Sequence, residues 1–195
     1  MIKAIIFDCF GVVVGKGFWD VYEIAGGNLE EDDDFIEDVL RRANTGTITR
    51  EAFQAEVAAR LGLSVKVWQE ISNREERPNI PLLEYIRDEL KPAYKIGMLS
   101  NANKGTLKER IPSQWQEIFD DIVVSGEVGM IKPDPEIFEL SAKNLGIHPK
   151  EAIFTDDREQ YLQGARAVGM QTILFKNVGQ FIRDIRPLIS KGLQL

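Results

Sequence analysis

Three apolar segments of the sequence end in polar residues whose side chains can do chemistry. A carboxylate held at the end of a strand can attack phosphorus, or a carbon that bears a halide, and so divide one difficult displacement into two steps. A second carboxylate near the first makes a hard oxygen site that suits Mg²⁺. The residues are Asp8 after residues 2–7, Ser100 after residues 94–99, and Asp156 with Asp157 after residues 152–155. Asp8 is therefore the candidate covalent nucleophile of a hydrolase.

The elements that must position these residues alternate between strand and helix. Strands separated by helical segments indicate right-handed βαβ units and a parallel sheet, in which helices cover both faces. The fold class is thus α/β, a Rossmann-like parallel sheet flanked by helices, with its ligand site beyond the carboxyl ends of the strands. The pattern predicts strands at residues 3–8, 94–99, 121–124, 152–155 and 171–175, and helices at 82–90, 104–119, 135–145, 160–168 and 179–189.

A block with helical spacing interrupts this alternation after the first strand. Thr49 is the expected N-cap of one of its helices, and Gly62 is the expected end of that helix. The chain returns to strand-helix alternation only after this block. We therefore interpret residues 16–79 as a small all-helical cap, here called the helical block, inserted into a core of residues 1–15 and 80–195.

Composition limits the classes of function. The chain has 195 residues, of which 44% are hydrophobic, and a formal net charge of -7. This charge argues against nucleic acid and anionic membranes as partners, because both attract clustered Lys and Arg. No stretch reaches the roughly 18 to 20 apolar residues needed to span a bilayer, and the first residues lack a signal-peptide pattern. We expect a cytoplasmic protein, monomeric or homodimeric, that binds a small molecule.

Several other side chains favour a structural interpretation. The single Cys9 has apolar neighbours and is expected to be a buried thiol, while His148 is the only histidine and is expected to face solvent. One histidine cannot supply a His-rich zinc site, and it precedes a proline in a loop. Phe18, Trp19 and Tyr22 have helical spacing, which favours packing within the helical block over a wall of the substrate pocket.

Four local motifs occur in an order that resembles the haloacid dehalogenase-like hydrolase superfamily. Any one of them is weak, but the ordered set is strong and the resemblance covers the whole chain. The helical block also lies between the first and second motifs, where the family's first type of cap is found. The motifs are residues 7–12 (FDCFGV), 98–101 (MLSN), 129–134 (GMIKPD) and 154–157 (FTDD).

The resemblance implies how a phosphoryl group would be held and transferred. Asp8 would attack phosphorus and form an aspartyl-phosphate intermediate. Ser100, Asn101 and Lys132 would bind the phosphoryl oxygens, since donors and cations must surround the charge that these oxygens carry. Lys132 would also act in catalysis, because its positive charge keeps Asp8 ionised. The substrate would be a small phosphorylated metabolite.

The resemblance also implies a Mg²⁺ site. Its ligands would be Asp8, Asp157 and the backbone carbonyl of Phe10. Asp157 occupies the family's principal acidic position when the sequences are aligned on Gly169, whereas Asp156 occupies a position that is often glycine. Adjacent residues of a strand point to opposite faces, so Asp156 is the weaker candidate ligand.

Two positions depart from the family pattern. The family's phosphatases usually carry a second aspartate, the general acid, where this chain has Phe10, and an Asp or Asn where it has Tyr161. Loss of the acid removes a contribution on the order of 10² to 10⁴ in rate. A phosphatase of this kind should prefer leaving groups that need little protonation, such as anomeric sugar phosphates or acyl phosphates.

Three functions are compatible with these features. The chain most resembles the glucose-1-phosphatase-like and epoxide hydrolase N-terminal-like phosphatase branch, some members of which also lack the second aspartate. This favours a Mg²⁺-dependent phosphatase, with a sugar 1-phosphate as a candidate substrate. The Asp-x-aromatic-Gly layout at Asp8 also resembles the metal-independent 2-haloacid dehalogenases. The third alternative is a weakly active protein that binds a phosphate ligand or a partner.

Overall fold

The computed structural model describes residues 1–190 and has a five-stranded sheet in which every strand pair is parallel. The strand order is β3-β2-β1-β4-β5, so β1 is central. This confirms the predicted α/β class. The strands are β1 (Ala4–Phe7), β2 (Lys95–Ser100), β3 (Asp121–Val124), β4 (Ala152–Asp156) and β5 (Gln171–Leu174).

The central strand is fully apolar because it is buried on both faces. Ile5 and Phe7 pack into one hydrophobic cluster, and Ala4 and Ile6 pack into a second cluster on the opposite face. Such alternation between two buried faces is what a parallel sheet covered by helices requires. Burial on both faces holds β1 in place, and the residue that follows it directly is Asp8.

Helices connect and cover the strands. The first of the C-terminal core helices, α5, continues through a π-helical turn over Ile86–Leu90, and a short 3₁₀ turn over Pro149–Glu151 precedes β4. The helices are α1 (Phe18–Ile24), α2 (Asp33–Asn44), α3 (Arg50–Arg60), α4 (Val65–Glu75), α5 (Ile80–Tyr85), α6 (Thr106–Arg110), α7 (Ser113–Gln116), α8 (Ser125–Val128), α9 (Pro135–Asn144), α10 (Glu159–Ala167) and α11 (Val178–Ser190).

Helices α1 to α4 form the helical block around their own apolar cluster. Thr49 caps α3 by accepting a hydrogen bond from the Ala52 N–H at 3.2 Å, and Gly62 follows the helix with φ +66. Both ends of α3 are thus as predicted. Tyr22, whose hydroxyl donates to Asp32 at 2.7 Å, is buried within the block.

The segments that enter and leave the helical block lie side by side. Val14 and Pro78 form an isolated antiparallel bridge, and the Gly15 N–H donates to the Arg77 carbonyl at 2.7 Å. The chain therefore leaves and re-enters the sheet region at one place. The division into a core of residues 1–15 and 80–195 and a cap of 16–79 remains a prediction, and its last five residues lie outside the described part of the chain.

The structure departs from the predicted elements in two places near the site. The helical stretch predicted over residues 104–119 is two short helices, because α6 ends at Arg110 and Pro112 precedes α7. Helix α8 was not predicted; only four residues long, it presents no hydrophobic period. Within residues 1–190, no helix combines the length and apolar character needed to cross a bilayer.

Candidate active site

Asp8 stands directly after the central strand. Its N–H donates to the Thr155 carbonyl of β4 at 2.9 Å, which holds its backbone against the neighbouring strand. The strand order reverses on either side of β1, and at such a switch point an open α/β sheet forms its ligand crevice. The Asp8 side chain is buried.

Lys132 approaches Asp8 from the loop that follows α8. Its Nζ lies 2.5 Å from Asp8 Oδ1 and 2.7 Å from Asp156 Oδ2, and the residue is only 2% exposed. Asn101 fixes this loop, because its side-chain amide donates to the Lys132 carbonyl and accepts from the Lys132 N–H, both at 2.9 Å. The lysine is thus held at both its backbone and its ammonium group.

Asp156 and Asp157 both lie near Asp8, but their oxygens are differently engaged. Oxygen atoms of the three carboxylates lie within 4.8 Å of one another. Asp156 uses Oδ2 for Lys132 and Oδ1 to accept the Arg158 N–H at 2.9 Å. Asp157 is more exposed and faces Gly11, where a Cβ would stand 2.5 Å from its Oδ2. Gly11 has φ +89, so both its conformation and this close approach require glycine.

Charge in this cluster is unbalanced. When all three carboxyl groups are ionised, they face one ammonium and leave two negative charges in excess. Burial raises the pKa of Asp8 to about 8 against the opposing effect of Lys132, and Asp156 and Asp157 add to the rise. Partial burial is the main cause that raises the pKa of Asp157 to about 6, and the charge of Asp156 adds to the rise.

The donor set fits a hard divalent cation. The cluster offers carboxylate oxygens only, and a charge of 2+ would offset its excess negative charge. The Phe10 carbonyl accepts no hydrogen bond from any residue in the described range 1–190. Asp8, Asp157 and this carbonyl are therefore the groups that could hold Mg²⁺, whereas both oxygens of Asp156 are occupied.

The two phosphate-binding candidates on β2 are placed differently from one another. Ser100 is fully buried at the end of the strand, and its Oγ has no hydrogen-bond partner among residues 1–190. A buried hydroxyl without a partner costs about 1–3 kcal/mol. Ser100 is not among the residues that line the cavity, whereas the next residue, Asn101, is. The Asn101 amide is already used on Lys132, which leaves the backbone N–H of Asn101 for a ligand.

A cavity of about 130 Å³ lies between the sheet and the helical block. Asp8, Phe10, Asn101, Lys132 and Asp157 line it from the sheet side. The remaining lining residues are Gly17, Phe18, Trp19, Leu40, Ala43, Asn44, Arg50, Phe53, Gln54, Trp68, Ser72 and Glu76 of the helical block, with Ala102, Asn103, Thr106, Arg110, Arg158 and Tyr161.

Several residues line the cavity although the sequence did not predict them as site residues. Ser72 on α4 is 3% exposed, lines the cavity, and has an Oγ without a hydrogen-bond partner in the described chain. Phe18 and Trp19 pack against the apolar cluster of the helical block and also line the cavity. A place in the cavity wall was the less favoured of the two interpretations of these aromatic residues. Arg158 also lines it, and its position next to Asp157 was a signal that could have revealed it.

Cys9 and His148 have the structural roles expected of them. The Cys9 thiol is free and buried, and burial raises its pKa, which disfavours the reactive thiolate. His148 is exposed, and its Nδ1 accepts the Lys150 N–H at 3.2 Å. Neither residue contributes to the cavity.

A family model described as haloacid dehalogenase-like hydrolase matches residues 2–169. The chain belongs to this family. The match spans β1 to the end of α10 and so contains every residue of the carboxylate cluster. This haloacid dehalogenase-like hydrolase is therefore an enzyme of the class that its ordered motifs indicated.

Curated relatives of this hydrolase include phosphatases. It is 29% identical to "Phosphatase MT3486" of Mycobacterium tuberculosis (strain CDC 1551 / Oshkosh), over 98% of this chain and 95% of that protein. It is 30% identical over 127 residues to "Bifunctional epoxide hydrolase 2" of Sus scrofa, which covers 62% of this chain. The match covers only 22% of the pig protein.

Solved structures share the fold. The HAD family enzyme bt-2542 from Bacteroides thetaiotaomicron is 25% identical, with a TM-score of 0.75 over 95% of this chain and 98% of that one. The same enzyme has been solved in complex with magnesium and inorganic phosphate, at 24% identity, a TM-score of 0.73, and coverage of 95% of this chain and 100% of that one.

Proposed function

We propose that this hydrolase is a Mg²⁺-dependent phosphomonoesterase that acts on a small phosphorylated metabolite through an aspartyl-phosphate intermediate. The observation that carries this proposal is the buried Asp8 carboxylate, held 2.5 Å from Lys132 Nζ at the floor of the cavity and clustered with Asp157. The phosphatase relatives and the magnesium and phosphate complex of bt-2542 support it.

In the first step, Asp8 attacks the phosphorus atom. Lys132 holds Oδ1, so Oδ2 is the oxygen that forms the new bond to phosphorus. The bond from phosphorus to the leaving-group oxygen breaks, and the leaving group takes its electron pair. Lys132 keeps Asp8 ionised once substrate and cation occupy the site, because its ammonium stabilises the carboxylate form.

In the second step, water attacks the phosphorus atom of the acyl phosphate, breaks its bond to Oδ2 and releases phosphate. The Ser100 hydroxyl and the Asn101 N–H donate to the phosphoryl oxygens in both steps, which explains why a buried serine is left without a protein partner. Mg²⁺ between Asp8, Asp157 and the Phe10 carbonyl would neutralise charge on the carboxylates and on the phosphoryl oxygens.

Phe10 determines the class of leaving group. It lines the cavity where the family's phosphatases carry an acid, so the departing oxygen receives no proton from that position. Sugar 1-phosphates and acyl phosphates leave without such help. Glucose 1-phosphate should therefore be hydrolysed faster than glucose 6-phosphate, and a clear preference for the 6-isomer would contradict this choice of leaving group.

A panel of phosphate esters and 2-chloropropionate, assayed with Mg²⁺ and with EDTA, tests the proposed activity. We expect phosphate release that requires Mg²⁺ and is abolished in Asp8→Asn, which removes the nucleophile and preserves its size. Full activity on 2-chloropropionate in EDTA, with none on phosphate esters, would instead identify a dehalogenase. Phosphate binding without any turnover would favour the weakly active binding protein.

Location and assembly belong to the same proposal. The net charge of -7 favours a small phosphorylated substrate over nucleic acid or a membrane as the binding partner. We place the enzyme in the cytoplasm, as a monomer or homodimer. These assignments stay predictions.

A further inference from the structure

Four cationic side chains line the cavity, and three of them are neutralised by carboxylates. Lys132 binds Asp8 and Asp156, as described above. Arg50 pairs with Glu109, and Arg110 pairs with Glu76. Arg158 is the fourth, and no carboxylate in the described chain lies within salt-bridge distance of its guanidinium.

Arg158 is nevertheless held in a defined place. Its backbone N–H donates to Asp156 Oδ1 at 2.9 Å, and its guanidinium carbon lies 4.4 Å from the centre of the Trp19 ring. The Tyr161 ring lies 5.9 Å away. The backbone of Arg158 thus lies beside the carboxylate cluster, and its guanidinium stacks on Trp19 in α1 of the helical block.

Stacking leaves the hydrogen-bonding capacity of the arginine unused. Contact with an aromatic ring occupies a face of the guanidinium, whereas its N–H groups lie in the plane and match a carboxylate in two parallel hydrogen bonds. An anion bound there would gain a charge-assisted pair without displacing an internal partner of Arg158. The phosphoryl group itself has Lys132, Ser100 and Asn101 in the proposed function.

We propose that Arg158 binds a carboxylate on the leaving group, so that the substrate is a short acyl or anomeric phosphate that also carries a free carboxylate. This inference rests on the proposed function for the position of the phosphoryl group. A cavity of about 130 Å³ favours a short chain between the two anionic ends. Arg158 then determines substrate specificity, and it takes no part in the transfer of the phosphoryl group.

Two non-hydrolysable probes test this recognition without turnover. 3-Phosphonopropionate carries a phosphonate and a carboxylate, and 3-phosphonopropionamide replaces the carboxylate by a neutral group of the same shape. Calorimetry at a fixed Mg²⁺ concentration measures the dissociation constant of each. We expect the wild type to bind the acid at least about tenfold more tightly than the amide, from the usual strength of hydrogen bonds to charged groups.

Variants of Arg158 assign the effect to its side chain. Arg158→Gln should weaken binding of the acid by roughly 10- to 100-fold and change binding of the amide by less than about threefold. Arg158→Lys should recover part of the loss, because it restores the charge without the planar fork. Arg166→Gln is the matched control: it removes one positive charge from exposed Arg166 on the following helix, where the arginine pairs with Glu159, and should leave both affinities unchanged.

Three results would overturn the inference. They are equal affinity of the wild type for the two probes, an equal loss for both probes in Arg158→Gln, and no binding of either probe. An equal loss accompanied by a lower melting temperature would assign Arg158 to holding α1 through Trp19. Mg²⁺-dependent phosphate release by the wild type, with Asp8→Asn as the blank, tests the proposed function separately.

Discussion

The two walls of the cavity are built on different principles. On the sheet wall, Asp8, Lys132 and Asp156 are buried and joined by ion pairs of 2.5 and 2.7 Å. On the wall from the helical block, the Phe18 and Trp68 rings contact each other with their centres 6.1 Å apart, and the Ser72 hydroxyl has no hydrogen-bond partner in the described chain. Buried ion pairs hold the sheet wall, whereas aromatic packing holds most of the block wall, to which Glu76 adds an ion pair with Arg110. We infer that the first wall determines the reaction and the second determines which leaving groups fit.

The largest expected effect breaks the sheet wall. Lys132→Met should lower the free energy of unfolding by about 3–5 kcal/mol at pH 7.5, because removal of one partner from a buried ion pair leaves unpaired charge. Phosphate release should fall by at least about 10² for every substrate, since a donor to the phosphoryl group is lost. Urea unfolding and a phosphate-release assay measure the two effects.

An exposed pair provides the control for Lys132→Met. Lys91 lies 2.6 Å from Asp120 and both side chains are about one-third exposed, so Lys91→Met should cost less than about 1 kcal/mol and leave turnover unchanged. Equal losses of stability in the two variants would contradict the view that burial makes the sheet wall sensitive to charge.

The second prediction concerns pH and uses the same wall without changing its shape. Burial holds the pKa of Asp8 at about 8 in the folded protein, against about 4 in the unfolded chain. The folded state therefore binds more protons between these values, and stability must fall as pH rises. In EDTA, the free energy of unfolding should decrease by about 2 kcal/mol from pH 6 to pH 8.

Two comparisons identify the group responsible for this slope. Asp8→Asn, which cannot ionise, should make stability nearly constant over the same range. Added Mg²⁺ should stabilise the wild type more at pH 8 than at pH 6, because protons compete with the cation for the carboxylates. A wild-type protein that is more stable at pH 8 than at pH 6 in EDTA would refute the raised pKa.

The sheet wall was far easier to predict from the sequence than the block wall. Apolar runs ending in Asp8, Ser100 and Asp156 fix both the strands and the positions of their polar ends, because parallel strands end at one edge. Cavity-facing residues of the helical block depend on how four amphipathic helices pack. Periodicity places Ser72 and Trp19 on helices without stating which neighbour each will meet.

The role of Asn101 shows a second limit of sequence analysis. Its motif predicts a phosphate contact, but the pairing of its amide with both the N–H and the carbonyl of Lys132 depends on a loop more than thirty residues away. Arg158 is similar, since its stacking on Trp19 joins two distant segments. Long-range contacts of this kind leave no local pattern.

The smallest expected effect separates the two walls most directly, through three serines that are buried without a hydrogen-bond partner in the described chain: Ser72, Ser100 and Ser141. Replacing each serine by alanine should leave the free energy of unfolding unchanged or raise it by up to about 1 kcal/mol, since an unsatisfied hydroxyl is removed.

The kinetic effects of the three variants should differ. Ser72→Ala should raise KM about 3- to 10-fold for a substrate whose leaving group carries a hydroxyl, while kcat stays constant. Ser100→Ala should lower kcat, because Ser100 ends β2 next to Asn101, and Ser141→Ala, within α9, should change neither. A fall in kcat for Ser72→Ala equal to that for Ser100→Ala would mean that both walls act on the transferring phosphoryl group.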